Sequence, residues 1–353
     1  MKLSVCMIVK NEEKVLDRLL KQVVLFADEI IVVDTGSDDS SKAIAENYTD
    51  KIYDFEWCDD FSAARNFSFS KATCPYIMWL DADDVITQNN VEKIKSLKEQ
   101  NPTADVFMCK YLVAFDENDN PTFEYYRERI LKNCDYLKWS GFIHEAVATR
   151  GKVEYLDIEI EHRKVEIARD SSRNLRIYEK HIAQNEKLDA RSLFYYAREL
   201  FYNNKIKKAI KTFKKFLKEK DVFLPNLIDA HLMLSRCFLI ENQLKQAKEI
   251  LLDSFKIALP NAEICCALGE IALKENNFKE SIFWHKMALC CEVDLKSGAF
   301  VQKDFYDFIP YLQISCAYYY LKDLKNFAIY HNKAKMLKPN HPSIVFNEQF
   351  LPK

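Results

Sequence analysis

Glycine is nearly missing from this chain: 353 residues hold five, and after Gly151 only Gly269 and Gly298 remain. Turn-rich β architecture needs residues that tolerate positive φ, so the scarcity disfavours it in the second half and favours helix packed on helix. No glycine-rich loop follows the first strand, which argues against a nucleotidyltransferase that cradles phosphate. An excess of charge of one sign is missing too. The formal net charge is −2, so no global field draws the chain to nucleic acid or to an anionic membrane. Basic clusters such as Lys205-Ile206-Lys207-Lys208 read as solvated helix faces. No apolar run approaches the roughly 18 residues that a membrane span needs. Eleven cysteines include no C-x-x-C spacing, and Cys265-Cys266 and Cys290-Cys291 sit in apolar helical runs. They read as reduced, buried thiols of a cytoplasmic protein without a signal peptide, rather than as a disulfide framework.

Against these absences stands a chain that is 48% hydrophobic and 29% charged, long enough for two domains with separate cores. Leu3 to Val9 is a short apolar strand, followed by Lys10-Asn11-Glu12-Glu13 and a helical pattern through Val15, Leu16, Leu19, Leu20 and Val23. Glu29-Ile30-Ile31-Val32-Val33 is a second buried strand ending at Asp34-Thr35-Gly36-Ser37-Asp38-Asp39, where Ser37 or Asp38 would cap the next helix. A strand at 51–55, a helix from Phe61 to Ala72 and the strand Tyr76–Leu80 follow. Strands alternating with helices predict βαβ units and a parallel sheet, and ligands in such sheets bind beyond the carboxyl ends of the strands. The polar clusters at 10–13, 34–39 and 81–84 all fall at those ends.

After a mixed stretch (Val106–Val113, Arg127–Leu131, Val153–His162), the pattern turns helical from about Ile167. Small residues recur in pairs twelve apart: Ala197 and Ala209, Ser235 and Ala247, Gly269 and Ser281, with Ser315 and Phe327 as a poorer fourth. The second members step by 247 − 209 = 38, 281 − 247 = 34 and 327 − 281 = 46. A period near 34 with a small residue at each helix crossing resembles the tetratricopeptide repeat. The excess in the last step falls in 292–305, which reads as an inserted loop. An irregular helical bundle is the alternative.

The chemistry concentrates in Asp81-Ala82-Asp83-Asp84. Three carboxylates in four residues at a strand end form a hard-oxygen site for Mg²⁺ or Mn²⁺, one that leaves positions open to substrate phosphates. A plain solvated turn is the competing reading.

Residues 1–165 resemble a family-two nucleotide-sugar glycosyltransferase of the GT-A fold. The likeness rests on four motifs in the family's order: Cys6-Met7-Ile8-Val9-Lys10-Asn11-Glu12-Glu13; Ile31-Val32-Val33-Asp34-Thr35-Gly36-Ser37-Asp38-Asp39-Ser40; Asp60-Phe61-Ser62-Ala63-Ala64-Arg65-Asn66; and Trp79-Leu80-Asp81-Ala82-Asp83-Asp84. Trp139-Ser140-Gly141-Phe142-Ile143-His144-Glu145 and Glu161-His162 resemble the subgroup with a helical-repeat tail, which includes enzymes that glycosylate peptides and proteins. The expected architecture is an α/β GT-A domain over 1–165, with a mixed, mostly parallel sheet, followed by an all-α TPR-like repeat domain over 166–353.

The resemblance implies a metal-dependent, inverting transfer of glucose or N-acetylglucosamine from a UDP-sugar. Asp83 and His162, with Asp81 nearby, would hold the metal. Asp34 would accept a hydrogen bond from the uracil ring, a helix-entry cap being its alternative. Val9, Asn11, Glu12, Arg65 and Asp81-Ala82 would enclose the nucleotide, with Arg65 either facing phosphate or holding the acidic turn. Glu145 would be the general base. His144 is the competing metal residue. The implied acceptor is a protein or peptide side chain on the concave repeat surface, and the repeats also offer surfaces for oligomerisation. A surface polysaccharide or lipid-linked glycan acceptor, or a helical-repeat scaffold with a degenerate transferase half, are the alternatives.

Overall fold

The computed structural model describes residues 1–117, 119–164 and 172–351. The chain divides into two compact units, Met1–Ile177 and Tyr178–Lys353. The boundary expected between 165 and 166, and the helical onset expected near 167, lie outside the described residues.

The first unit is built on a mixed sheet. Its parallel half holds β1 (Leu3–Val9), β2 (Glu29–Asp34), β3 (Ile52–Asp54) and β4 (Tyr76–Trp79). The rest comprises β5 (Asp84–Val85), β6 (Val106–Phe115), β7 (Pro121–Lys132) and β10 (Val153–His162). The strand order is β3-β2-β1-β4-β7-β6-β10-β5. Only β7 and the two-residue β5 run against the others. A separate small hairpin pairs β8 (Trp139–Ser140) with β9 (Ala146–Val147).

The continuous apolar runs of β1 and β2 are explained by burial on both faces. Leu3, Val5, Met7 and Val9 pack into one core with Leu16, Leu19, Leu20 and Val23 of α1 (Leu16–Val23). Cys6, Ile31 and Val33 point the other way, into a second core with Trp79 and with Phe69 of α3 (Phe61–Ser70). Each large apolar side chain so enclosed contributes about 1.5–3 kcal/mol before entropy is counted. One carboxylate is fastened into this framework: Glu29 accepts from Ser4 Oγ, from Lys51 Nζ, and from the amide and hydroxyl of Thr73 at 2.8 and 2.9 Å. Burial would raise its pKa, but these donors bring it down to about 2.

Neither Ser37 nor Asp38 caps the following helix. α2 spans Ser41–Glu46 behind Ser40, with no side-chain cap. The amide of Ser37 is instead taken by Asp34 and that of Ser41 by Asp39, so the loop closes on itself before the helix starts. A further helix, α4 (Gln88–Glu99), packs Val91, Ile94 and Leu97 into the first core.

The helical part opens with α5 (Arg173–Ala183) and continues as four helix pairs: α6 (Ala190–Tyr202) with α7 (Ile206–Phe216), α8 (Leu224–Ile240) with α9 (Leu244–Asp253), α10 (Ala262–Lys274) with α11 (Phe278–Ala288), and α12 (Phe308–Tyr320) with α13 (Leu324–Leu337). The short α14 (Pro342–Asn347) follows. Successive helices pack on one another from α6 to α13, which makes this a TPR-like array. Ala197, Ala209, Ser235, Ala247, Ser281, Ser315 and Phe327 are all buried to 1% exposure or less. Each pair turns through one left-handed residue: Asn204, Asn242, Asn276 and Lys322. Their spacings, 242 − 204 = 38, 276 − 242 = 34 and 322 − 276 = 46, repeat the steps of the small residues. Phe327 therefore occupies the expected position, although it is large.

All eleven cysteines are free thiols, but Cys58 and Cys290 are exposed rather than buried. Cys290-Cys291 lies beyond the end of α11, not within a helix. Among the described residues no helix is long and apolar enough to cross a membrane.

Candidate functional site

The carboxyl ends of β1, β2 and β4 lie at one edge of the sheet, since Val9 pairs in register with Asp34 and Cys6 with Trp79. The Val9 carbonyl accepts from the amide and hydroxyl of Thr35 at 2.9 and 3.1 Å, locking the first strand end to the second loop. Asn11, in the left-handed region at φ 55°, completes the tie. Its amide donates to Ser37 Oγ at 3.0 Å and its side-chain carbonyl accepts from the Asp38 amide at 2.9 Å. The Glu12 amide donates to Ser41 Oγ at 2.7 Å.

Asp34 sits buried at the end of β2. Its Oδ1 accepts from the amides of Gly36 and Ser37, both at 2.8 Å. Its Oδ2 is buried with no hydrogen-bond partner among the described residues. A half-satisfied buried carboxylate is costly unless a donor completes it.

Arg65 arises from the middle of α3, which Asp60 caps by accepting from the Ala63 amide. The helix directs the guanidinium to two carboxylates: Nη2 reaches Asp81 at 2.7 Å and Nε reaches Glu145 at 2.7 Å. The group lies 4.9 Å from the ring centres of both Trp79 and Trp139. Burial would raise the Asp81 carboxyl, yet the charges of Arg65 and Arg129 hold it well below the usual carboxylate range. Asp81 is thus tied to Arg65, and Glu145 is tied to the same cation.

The acidic motif splits by direction. Ala82 is buried in the first core. Asp84 is fully buried: Oδ1 accepts from Tyr111 OH at 3.0 Å, and Oδ2 accepts from the Asp81 amide and from Arg129 Nη1, both at 2.9 Å. Asp83 lies beside His162, Oδ1 to Nδ1, at 3.2 Å, and Asp84 Oδ1 lies 3.7 Å from the same nitrogen. Asp83, Asp84 and His162 form the group of metal-ligating side chains among the described residues, with ligand atoms within 4.8 Å of one another. The strand register places them so, because His162 at the end of β10 pairs with Asp84 of β5. His162 Nδ1 is buried and, despite its closeness to Asp83, is not aligned for a hydrogen bond. Burial alone would lower its pKa; contact with Asp83 and Asp84, and their charge, raises it to about 9. Two carboxylates and an orphaned imidazole suit Mn²⁺ or Mg²⁺, which would replace that proton.

His144, at φ 52°, lies in the loop between β8 and β9, outside this group. The structure therefore brings Asp83 and His162 together with Asp84, and sets Asp81 and Glu145 on Arg65. Tyr111 and Arg129 carry no role in the sequence reading, and Asp84 entered it only as one of the three carboxylates of the acidic run. A signal existed for Arg129: Arg127-Glu128-Arg129 is a charged run directly ahead of the apolar Ile130-Leu131 in the same strand. Arg65, Arg127 and Arg129 all lie within 5.0 Å of the Trp79 ring centre.

Carboxylates and guanidinium groups thus gather at the carboxyl ends of the strands, where ligands of parallel α/β sheets bind. Residues 4–154 match the family model for Glycosyl transferase family 2. A TPR repeat-containing protein of Synechococcus elongatus is 37% identical over 145 residues, covering 41% of this chain and 35% of that protein. The SPbeta prophage-derived glycosyltransferase SunS of Bacillus subtilis is 26% identical over 260 residues, covering 67% of this chain and 58% of SunS. The chain thus spans between about a third and three fifths of the length of these relatives. Among solved structures, S. aureus TarS 1-349 aligns over 97% of this chain and 93% of that chain, at 13% identity and a TM-score of 0.36.

Proposed function

We propose that the chain is an inverting, metal-dependent glycosyltransferase of the GT-A type. It takes glucose or N-acetylglucosamine from a UDP-sugar and attaches it to a protein or peptide side chain. The observation that carries this reading is the placement of the unpartnered Asp34 oxygen and the Asp83–His162 pair along the carboxyl edge of one sheet.

Asp34 Oδ2 suits the uracil ring N–H, since it needs one donor and is fixed by two amides. Asp83 and His162 would hold the divalent cation, with Asp84 behind them. Such an ion, when bound, offsets diphosphate charge as the glycosidic bond breaks. Arg65 sets the orientation of Asp81 and Glu145, and Arg129 holds Asp84 in place. Glu145 faces the acceptor side as general base. Its Oε1 is held by Arg65, so Oε2, with no hydrogen bond among the described residues, is the atom that takes the acceptor proton. His144 remains the competing residue for the metal.

The test is UDP release from UDP-glucose and UDP-N-acetylglucosamine with Mn²⁺, together with mass spectrometry of candidate polypeptide acceptors. Activity should vanish with EDTA and in Asp83→Ala. Unchanged turnover in both would refute the metal assignment, and pyrophosphate in place of UDP would refute the reaction class.

A further inference from the structure

A cavity of about 420 Å³ lies within the helical unit, between the amino ends of α8 and α10 and the segment that joins α11 to α12. That segment is the inserted stretch responsible for the long third step of the repeat, and it is firmly built. Asp294 accepts from the amides of Lys296 and Ser297 at 2.9 and 3.2 Å, Gly298 turns at φ 76°, and Val301 is buried. Glu263, on the first turn of α10, fastens it down. Its Oε1 accepts from the Gln302 amide at 3.2 Å and its Oε2 from Tyr306 OH at 3.1 Å.

The walls are apolar, with Leu232, Ile264 and Val301 enclosed and Phe223 and Leu224 half exposed at the mouth. Every charged group lining the cavity is acidic: Asp229, Glu263, Glu292 and Asp294, with no lysine, arginine or histidine among the described lining residues. Asp229 Oδ2 is paired with Arg198 at 2.5 Å, while its Oδ1 makes no hydrogen bond among the described residues. Glu263 is 4% exposed and, among the described residues, meets only neutral donors, with no counter-ion for its charge. Burial pushes its carboxyl above the usual value. A carboxylate has about four acceptor sites, and two donors leave room for a third. Volume, apolar walls and a few convergent polar groups are the attributes of a ligand site.

We propose that this cavity binds the lysine or arginine side chain of an extended polypeptide. The aliphatic stem would lie along Leu232 and Ile264, and the cationic head would meet Asp229 and Glu263. A cation supplies what Glu263 lacks, and an apolar stem fills a space too dry for a solvated ion. This claim stands apart from the transferase reading, because its test reads binding and not turnover.

The full chain is titrated calorimetrically with pentapeptides of one sequence carrying lysine, arginine or norleucine at the centre. The lysine and arginine peptides should bind about tenfold or more tighter than the norleucine peptide. Ile228→Trp, which fills the space from α8, should abolish binding, and Glu263→Gln should reduce the lysine preference to the norleucine level. Circular dichroism checks both folds. If Glu263→Gln fails to fold, Ile228→Trp and the norleucine comparison still decide. Equal affinity for norleucine would overturn the proposal, as would lysine binding unchanged in Ile228→Trp, or no binding of either cationic peptide at millimolar concentration.

Discussion

Asp84 and Arg129 pair at 2.9 Å with both side chains wholly enclosed. The guanidinium also lies 3.8 Å from the Trp79 ring centre and 4.2 Å from that of Tyr111, so its charge is packed between two aromatic faces. A buried pair of this kind is weak support for stability as a whole, but removing one partner leaves an uncompensated charge. Arg129→Leu should therefore destabilise the first unit by about 3–5 kcal/mol, read from urea unfolding. A loss below about 1 kcal/mol would mean that the fold does not depend on this pair.

Asp34 allows its two oxygens to be tested separately. Asp34→Asn keeps a carbonyl for the Gly36 and Ser37 amides but presents an N–H donor where Oδ2 stood. UDP affinity should fall by about 1–3 kcal/mol while the melting temperature stays nearly constant. Calorimetry that finds UDP and GDP bound equally by the unsubstituted chain would remove the uracil contact.

Glu145 and His162 should fail in different ways. Glu145→Gln keeps its bond to Arg65 but cannot take a proton, so transfer should drop by about 10²–10⁴ while UDP-sugar binding persists. His162→Ala should weaken Mn²⁺-dependent donor binding instead. If His144→Ala shows the metal phenotype in its place, those two roles are exchanged.

The helical unit carries its own acid sensitivity. His285 on α11 is buried against Gly269 of α10, where an added Cβ would lie 2.3 Å from the ring. Burial lowers its pKa from a usual 6.5 to about 4. Between those values the unfolded chain binds the proton and the folded chain does not, so stability is present above pH 6.5 and is lost as pH falls toward 4. From pH 7 to pH 5 the loss from this residue should be about 2 kcal/mol in urea unfolding. His285→Gln should flatten that part of the profile. An identical profile in the variant would place the sensitivity elsewhere.

Much of this molecule could be read from local pattern. Apolar runs buried on both sheet faces announced β1, β2 and β4, and polar clusters marked their carboxyl ends, because a strand that leaves the core must become polar there. The helix pairs were legible for a similar reason. Only a small side chain fits where two helices cross closely, so Ala197, Ser235 and Gly269 recur at the repeat period; Phe327 breaks the rule and was harder to place. The end of α11 before Cys290 was not legible, since an apolar run continues past the last helical hydrogen bond.

The sequence alone determined that carboxylates gather at strand ends, that Arg65 and His162 are available to them, and that a helical array follows. Tertiary structure decided the partnerships. Asp81, Asp83 and Asp84 are chemically alike, and only the backbone path after β4 sends Asp83 toward His162, Asp81 to Arg65 and Asp84 inward. Arg129 reaches Asp84 because the pairing of β6 with β7 jumps from Phe107–Ile130 to Met108–Glu128, leaving Arg129 as the extra residue of a bulge. A bulge re-aims a side chain through strand register, and register depends on contacts between segments far apart in sequence, which no local pattern contains.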